Sequence, residues 1–414
     1  MGRVSFVVGL RCRACGTICA PGPVHVCTEC LGPLEVHYDY AARTRAVRRE
    51  DIAAGPATMW RYQALLPLLP GAPVVDLGTG FTPLLRADNL GRALGLRHVY
   101  IKNDAVNPTY SFKDRVLGTA VSAALQFGLD VLACASTGNL AASVAAHAAR
   151  AGMRSYVFIP ADLEPAKVVG TAVYGTNLVP VRGSYDDVNR LCSEVADTFG
   201  WGFVNINLRP FYAEGSKTLA YETAEQLGWR APDHVVVPIA GGSVLTKIAK
   251  GFRELRDLGW IPAGATRVSG AQASGCAPVS SAFARGADHV TPVRPHTIAK
   301  SLAIGNPADG DFALRTIRES GGAAEMATDE EIVEGMRLLA ATEGILTETA
   351  GGVTVACARK LARAGRIDPD ETVVLYITGN GLKTLDAVAG ALPPVAAIEP
   401  RLEAFEQALA GAVA

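Results

Sequence analysis

The run Val99-Tyr100-Ile101-Lys102, the loop Asn107-Pro108-Thr109-Tyr110-Ser111-Phe112-Lys113-Asp114-Arg115 and the run Val116-Leu117-Gly118-Thr119-Ala120-Val121-Ser122-Ala123-Ala124-Leu125 read as strand, turn and buried helix. β-Branched and aromatic residues favour the first, and the apolar spacing of the third suits a helix covered on most sides. Lys113 therefore stands where a loop becomes a helix. Ser111 is placed to cap that helix, so Arg115 and the positive end of the dipole would lie beside the amine. A lysine at such a junction is a candidate nucleophile. An ordinary helix start carrying Lys113 and Asp114 would read the same way, so the rest of the chain has to separate the two readings.

The same unit recurs downstream. Apolar runs at Val131 to Ala135, Ser155 to Ile159, Leu178 to Val181, His234 to Ile239, Arg267 to Ala271 and Val373 to Ile377 alternate with helical stretches such as Ala141 to Arg150 and Asp186 to Phe199. Strands that are apolar along their length are covered on both faces, so the fold class is α/β with buried parallel sheets and crossover helices. Two such sheets account for residues 90 to 390, with sites expected beyond the carboxyl ends of their strands.

Composition bounds the function. The 414 residues are 49% hydrophobic and 19% charged, a globular balance with room for two or three domains. With 39 basic and 40 acidic residues the net charge is −1. No basic stripe stands out, so a nucleic-acid partner is not expected. No apolar run approaches the roughly 18 residues that span a bilayer, and Met1 to Leu10 lacks the layout of a secretory signal. A cytoplasmic protein without a membrane partner is expected.

Four of the nine cysteines form two knuckles, Cys12-Arg13-Ala14-Cys15 and Cys27-Thr28-Glu29-Cys30, with eleven residues between them. Each knuckle turns two thiolates toward one ion, and four thiolates make a closed tetrahedral structural zinc site. Cys19 and His25 lie in the same loop and could replace a ligand. The loop from Gly16 to Val26 carries no Lys or Arg, against a nucleic-acid-binding ribbon. The expected organisation is a zinc-ribbon-like module over 1–40, a wrap over 41–95, an α/β core over 96–390 in two subdomains split near 210, and an amphipathic closing helix within 391–414.

Three loops at expected strand ends carry chemistry. Ser136-Thr137-Gly138-Asn139 offers hydroxyls, a glycine and helix-N-terminal N–H groups, an anion site suited to a carboxylate. Ala240-Gly241-Gly242-Ser243-Val244 offers a backbone cradle for phosphate, without the Gly-Lys-Ser/Thr ending of a Walker loop. Thr378-Gly379-Asn380-Gly381-Leu382-Lys383 follows the last strand. Each alone could be an ordinary turn. Together with the amine of Lys113 they supply what pyridoxal 5'-phosphate requires: a lysine for its aldehyde, a phosphate cradle and a partner for its ring nitrogen.

The wording of these motifs, Asn-Pro-Thr-x-Ser-Phe-Lys-Asp-Arg, Ser-Thr-Gly-Asn, Gly-Gly-Ser and Thr-Gly-Asn-Gly-Leu-Lys, resembles the threonine synthases of the tryptophan-synthase-β-like, fold type II, pyridoxal-phosphate family. The resemblance runs from about residue 75 to 390, and the cysteine knuckles are similar to those of some members. It implies two parallel-sheet α/β domains, a homodimer, and conversion of O-phospho-L-homoserine and water to L-threonine and phosphate. It implies that Lys113 holds the cofactor's aldehyde and then moves protons, that Asn139 bonds the ring 3'-oxygen, and that Ser136, Thr137 and Gly138 take the substrate carboxylate. Ala240, Gly241, Gly242, Ser243 and Val244 would cradle the cofactor phosphate, and Thr378 would meet the pyridine nitrogen. The phosphorylated amino-acid substrate needs a second anion site, for which Asn207, Arg209 and Lys217 are the candidates. Many relatives read Asn-Pro-x-Arg there, and this chain reads Asn-Leu-Arg-Pro. A cysteate synthase-like β-replacement on O-phosphoserine would use the same loops. A serine or threonine dehydratase would have no use for Arg209.

Overall fold

The computed structural model describes residues 5–136, 138–161, 165–183, 185–392 and 397–413. Thr137, expected at the substrate carboxylate, lies outside the described residues.

The chain opens with a small antiparallel sheet of order β2-β1-β3, made of β1 (Val7–Cys12), β2 (Ile18–Cys19) and β3 (Leu34–Tyr38). It then enters a larger sheet with β4 (Leu84–Arg86) and β5 (His98–Asn103). Next it leaves to build a complete four-stranded parallel sheet from β6 (Val131–Ala135), β7 (Arg154–Pro160), β8 (Asn177–Val181) and β9 (Gly202–Phe203), in the order β8-β7-β6-β9. It returns with β10 (His234–Pro238), β11 (Arg267–Ala273), β12 (Ala324–Ala327) and β13 (Thr372–Ile377), completing a sheet of order β12-β11-β10-β13-β5-β4. Only β4 runs antiparallel there. The expected division near residue 210 is thus one of two crossings, because β4 and β5 pair into the sheet that β10 to β13 complete.

The strand sequences explain the layering. Every residue of β6 and of β10 is buried, as continuous apolar runs between helix layers must be. Edge strands are the leaky ones: β8 keeps an exposed residue at its start and β4 exposes two of its three. In the large sheet β10, β13 and β5 lie side by side, with Val236 level with Leu375 and Leu375 level with Ile101. Their carboxyl ends therefore open onto one crevice, and the turn after β6 comes from the smaller sheet.

The last helix, Leu402–Val413, does not close over the core. Its apolar residues Leu402, Phe405 and Leu409 are 66%, 52% and 53% exposed. No helix among the described residues is long and apolar enough to cross a membrane.

Candidate active site

Lys113 is the first residue of a helix running to Gln126. Its Nζ donates a hydrogen bond to the Tyr212 hydroxyl at 2.8 Å and lies 4.7 Å from the centre of the Phe112 ring. Ser111 does not cap the helix. Phe112 occupies the N-cap position without a side-chain bond, and the Ser111 hydroxyl is buried with no partner. Nor does Arg115 charge the surroundings of the amine. It points into the core, where Nε meets Asp104 at 2.6 Å and Nη1 meets Glu222 at 2.5 Å. Asp114 is more than decoration: its carboxylate accepts from the Thr109 N–H (2.7 Å), the Thr109 hydroxyl (2.6 Å) and the Ser143 hydroxyl (2.6 Å). It buckles the loop shut, and Tyr110 within that loop takes a left-handed φ of 62°.

The Lys113 loop is sewn to the turn after β13. Phe112 N–H donates to Thr378 O (3.0 Å) and Asn380 N–H to Tyr110 O (3.0 Å). Lys383 Nζ donates to Thr109 O (2.5 Å) and to Asn139 Oδ1 (2.7 Å). Asn139 Nδ2 in turn donates to the two oxygens of Glu348 at 3.1 and 2.9 Å. Loops distant in sequence thus converge on one amide. A Cβ on Gly379 would sit 2.2 Å from Glu348 Oε1 and push that carboxylate off Asn139.

Glu348 and Tyr212 were not expected. Burial pushes the Glu348 carboxyl above its ordinary range, although Asn139, Lys383 and Lys113 pull the other way. A carboxylate standing in the small-residue run Thr347 to Gly352 was the available signal. Tyr212 stands among charged and amide residues whose sequence gives no sign that its hydroxyl meets Lys113.

The glycine loop follows β10 and feeds the helix Ser243–Asp257. Gly242 adopts φ +91°, and a Cβ there would lie 2.7 Å from Asp309 O. The helix has no side-chain cap, so the N–H groups of its first turn are left for an anion. Strands β10 and β5 flank β13, which sets the glycine loop and the Lys113 loop roughly 10 Å apart, two strand spacings. One aromatic phosphate ester can bridge that span. The unpartnered Ser111 hydroxyl, the uncapped helix and the lone amine are groups of the kinds that pyridoxal phosphate takes up. Thr378 is 3% exposed at the end of β13.

The remaining candidates divide. Ser136 accepts from the Gly138 N–H at 3.2 Å, and Gly138 precedes the helix Asn139–Ala151 without a side-chain cap, so this turn also presents free N–H groups. Asn207 is not free for substrate: Oδ1 accepts from Phe203 N–H (2.8 Å) and Nδ2 donates to Trp201 O (2.9 Å), clasping its own loop. Lys217 is also misplaced by the sequence reading. It is wholly buried between Glu214 (2.6 Å) and Glu254 (3.1 Å), in a cluster that anchors Tyr38 of β3 to the core. Arg209 stays part-exposed, tied to the glycine loop through Asp309. Its Nη2 meets Asp309 Oδ2 at 2.8 Å, and the Asp309 N–H donates to Gly241 O at 2.9 Å. Three residues on, one helical turn away, is Tyr212.

At the N-terminus the sulfurs of Cys12, Cys15, Cys27 and Cys30 lie within 4.8 Å of one another, with Cys12 to Cys30 at 3.5 Å and Cys15 to Cys27 at 3.7 Å. Zn–S bonds of about 2.3 Å at tetrahedral angles require sulfurs about 3.8 Å apart. The Ala14 and Glu29 N–H groups point at Cys12 and Cys27 Sγ at 3.4 Å, as thiolates need. Cys19 and His25 do not join this cluster.

Comparison with known proteins agrees with this geometry. The family model described as pyridoxal-phosphate dependent enzyme matches residues 75–379. A threonine synthase of Methanocaldococcus jannaschii is 39% identical over 379 residues, covering 91% of this chain and 93% of that protein. One from Methanosarcina acetivorans is 36% identical and covers 97% and 98%. Among solved structures, the processed form of threonine deaminase isoform 2 from Solanum lycopersicum superposes with a TM-score of 0.64 over 76% of this chain and 88% of that one. Its 21% identity speaks for the fold alone.

Proposed function

We propose a threonine synthase reaction for this chain on grounds of kinship and site: the chain belongs to the pyridoxal-phosphate dependent enzyme family, among the threonine synthases. The reaction is O-phospho-L-homoserine plus water giving L-threonine plus phosphate. What supports it is an amine bonded only to a neutral hydroxyl, a glycine-loop helix without a side-chain cap, and Arg209 held by Asp309 beside that glycine loop.

The cofactor, when bound, supplies an electron sink that makes the protons on the substrate's Cα and Cβ removable. The chain does the rest. Lys113 Nζ takes and returns protons, and the Tyr212 hydroxyl 2.8 Å away orients it. Ser136, Gly138 and the free N–H groups opening the Asn139–Ala151 helix bind the substrate carboxylate. Asn139, held by Lys383 and Glu348, would give up one of its two bonds to Glu348 to offer an amide N–H to the ring 3'-oxygen, and Thr378 presents a hydroxyl to the ring nitrogen. Arg209 binds the leaving phosphate, its planar fork matching the phosphate oxygens. The buried Glu348 holds the Asn139 amide in place.

Zinc in the four-cysteine site is part of this reading and rests on the sulfur spacing. A homodimer and a cytoplasmic location rest on the family resemblance. The test is phosphate release with threonine formation from O-phospho-L-homoserine by the purified holoenzyme. Activity only with O-phosphoserine and sulfite would transfer the assignment to β-replacement.

A further inference from the structure

Between the two knuckle cysteines Cys12 and Cys15, the chain carries Arg13, and its side chain does not return to its own module. Arg13 Nη1 meets Asp309 Oδ1 at 2.9 Å, while Arg209 holds the other oxygen of the same carboxylate at 2.8 Å. The guanidinium also lies flat on Phe312, 3.4 Å from its ring centre, a contact that fixes its plane. Arg13's backbone is itself pinned, its N–H donating to Pro33 O at 3.0 Å across the cysteine loop. A small pocket here is lined by Arg13, His25, Glu35, Arg209, Lys247 and Asp309, and Asp309 ties it to the glycine loop through Gly241.

We propose that Arg13 is a positioning residue for the substrate's phosphate, acting through Asp309 on Arg209. This rests on the assignment of Arg209 to that phosphate. Two guanidinium groups share one carboxylate, so the trio keeps a net positive charge at the pocket. Without Arg13, Asp309 would belong to Arg209 alone, and the pair would be neutral and turned inward, with little left for a dianion. The cysteine module thereby serves as a rigid mount for a cation that acts on a carboxylate 296 positions away. It is more than a stabilising appendage.

The test uses the holoenzyme, with inorganic phosphate as inhibitor against O-phospho-L-homoserine. Arg13→Gln raises KM and the phosphate inhibition constant about three- to tenfold, with kcat within about twofold and the cofactor absorbance and bound zinc unchanged. Arg13→Lys, which keeps the charge, restores most of the loss. The double variant Arg13→Gln with Asp309→Asn, which restores the charge of the trio, returns the inhibition constant toward wild type. Should Arg13→Gln fail to fold, Asp309→Asn alone decides: tighter phosphate inhibition supports the proposal, and unchanged or weaker inhibition overturns it. An unchanged inhibition constant in Arg13→Gln, with Arg209→Ala raising it, overturns the proposal and spares the site assignment. If Arg209→Ala changes nothing, the site assignment falls and this proposal falls with it.

Discussion

Lys113 and Arg115 are two residues apart on one helix, about 200° apart around its axis, and they meet opposite treatment. Arg115 is wholly buried and matched: Asp104 and Glu222 hold its charge, and the hydroxyls of Thr82 and Thr218 take further N–H groups at 3.0 Å. Lys102 adds a second cation, 2.7 Å from Glu222. Lys113, among the described residues, has no carboxylate partner and one neutral neighbour, the Tyr212 hydroxyl. A buried structural cation must have its charge answered, because an unanswered one costs several kcal/mol. A cation left unanswered at the mouth of a crevice is available for chemistry. The half-turn of helix that separates them divides the scaffold from the site.

This contrast can be broken from the scaffold side first. Arg115→Met strands Asp104 as a buried charge, leaves Glu222 to Lys102 alone and should remove about 3–5 kcal/mol of stability, read by urea unfolding. A loss below 1 kcal/mol would mean the network is not the structural keystone described. Acid attacks the same cluster more gently. Burial pushes the Glu222 carboxyl up, but Arg115 and Lys102 more than offset this and leave it at about 2, against an ordinary 4.5. Its stabilisation is therefore full above pH 4.5 and lost as pH falls from 4.5 toward 2, about 3 kcal/mol in all. Unfolding curves flat across that window would contradict it. On the site side, Tyr212→Phe removes the one hydroxyl at the amine. Stability should change by about 1 kcal/mol or less, while kcat falls about tenfold with KM nearly unchanged, which steady-state kinetics would resolve.

The sequence reading succeeds where local pattern and location coincide. β6 and β10 are apolar from end to end, so they can only be covered strands, and the turns after β6, β10 and β13 fall at their carboxyl ends as strand-to-helix units require. It fails where tertiary placement decides. Asn207, Arg209 and Lys217 looked equivalent in sequence, yet one clasps its own loop, one stays part-exposed beside the glycine loop and one is sealed under β3. Charge type does not say which side of a short helix will be covered. Arg115 looked like a neighbour of the amine because it is near in sequence, and the helix turns it away. Glu348 reaches Asn139 across 209 residues, a contact no local window contains. Arg13 lies inside the cysteine spacing, and nothing local signals its contact with Asp309, 296 residues on.

The central claim is that Lys113 alone among the buried or half-buried lysines carries the cofactor. Borohydride reduction of the cofactor-loaded protein, followed by digestion and peptide mass analysis, tests it directly. The pyridoxyl mass should appear on the peptide containing Lys113 and vanish in Lys113→Ala, whose unfolding midpoint should stay near wild type. Label on Lys102, Lys217 or Lys383, or full labelling retained in Lys113→Ala, would contradict the account.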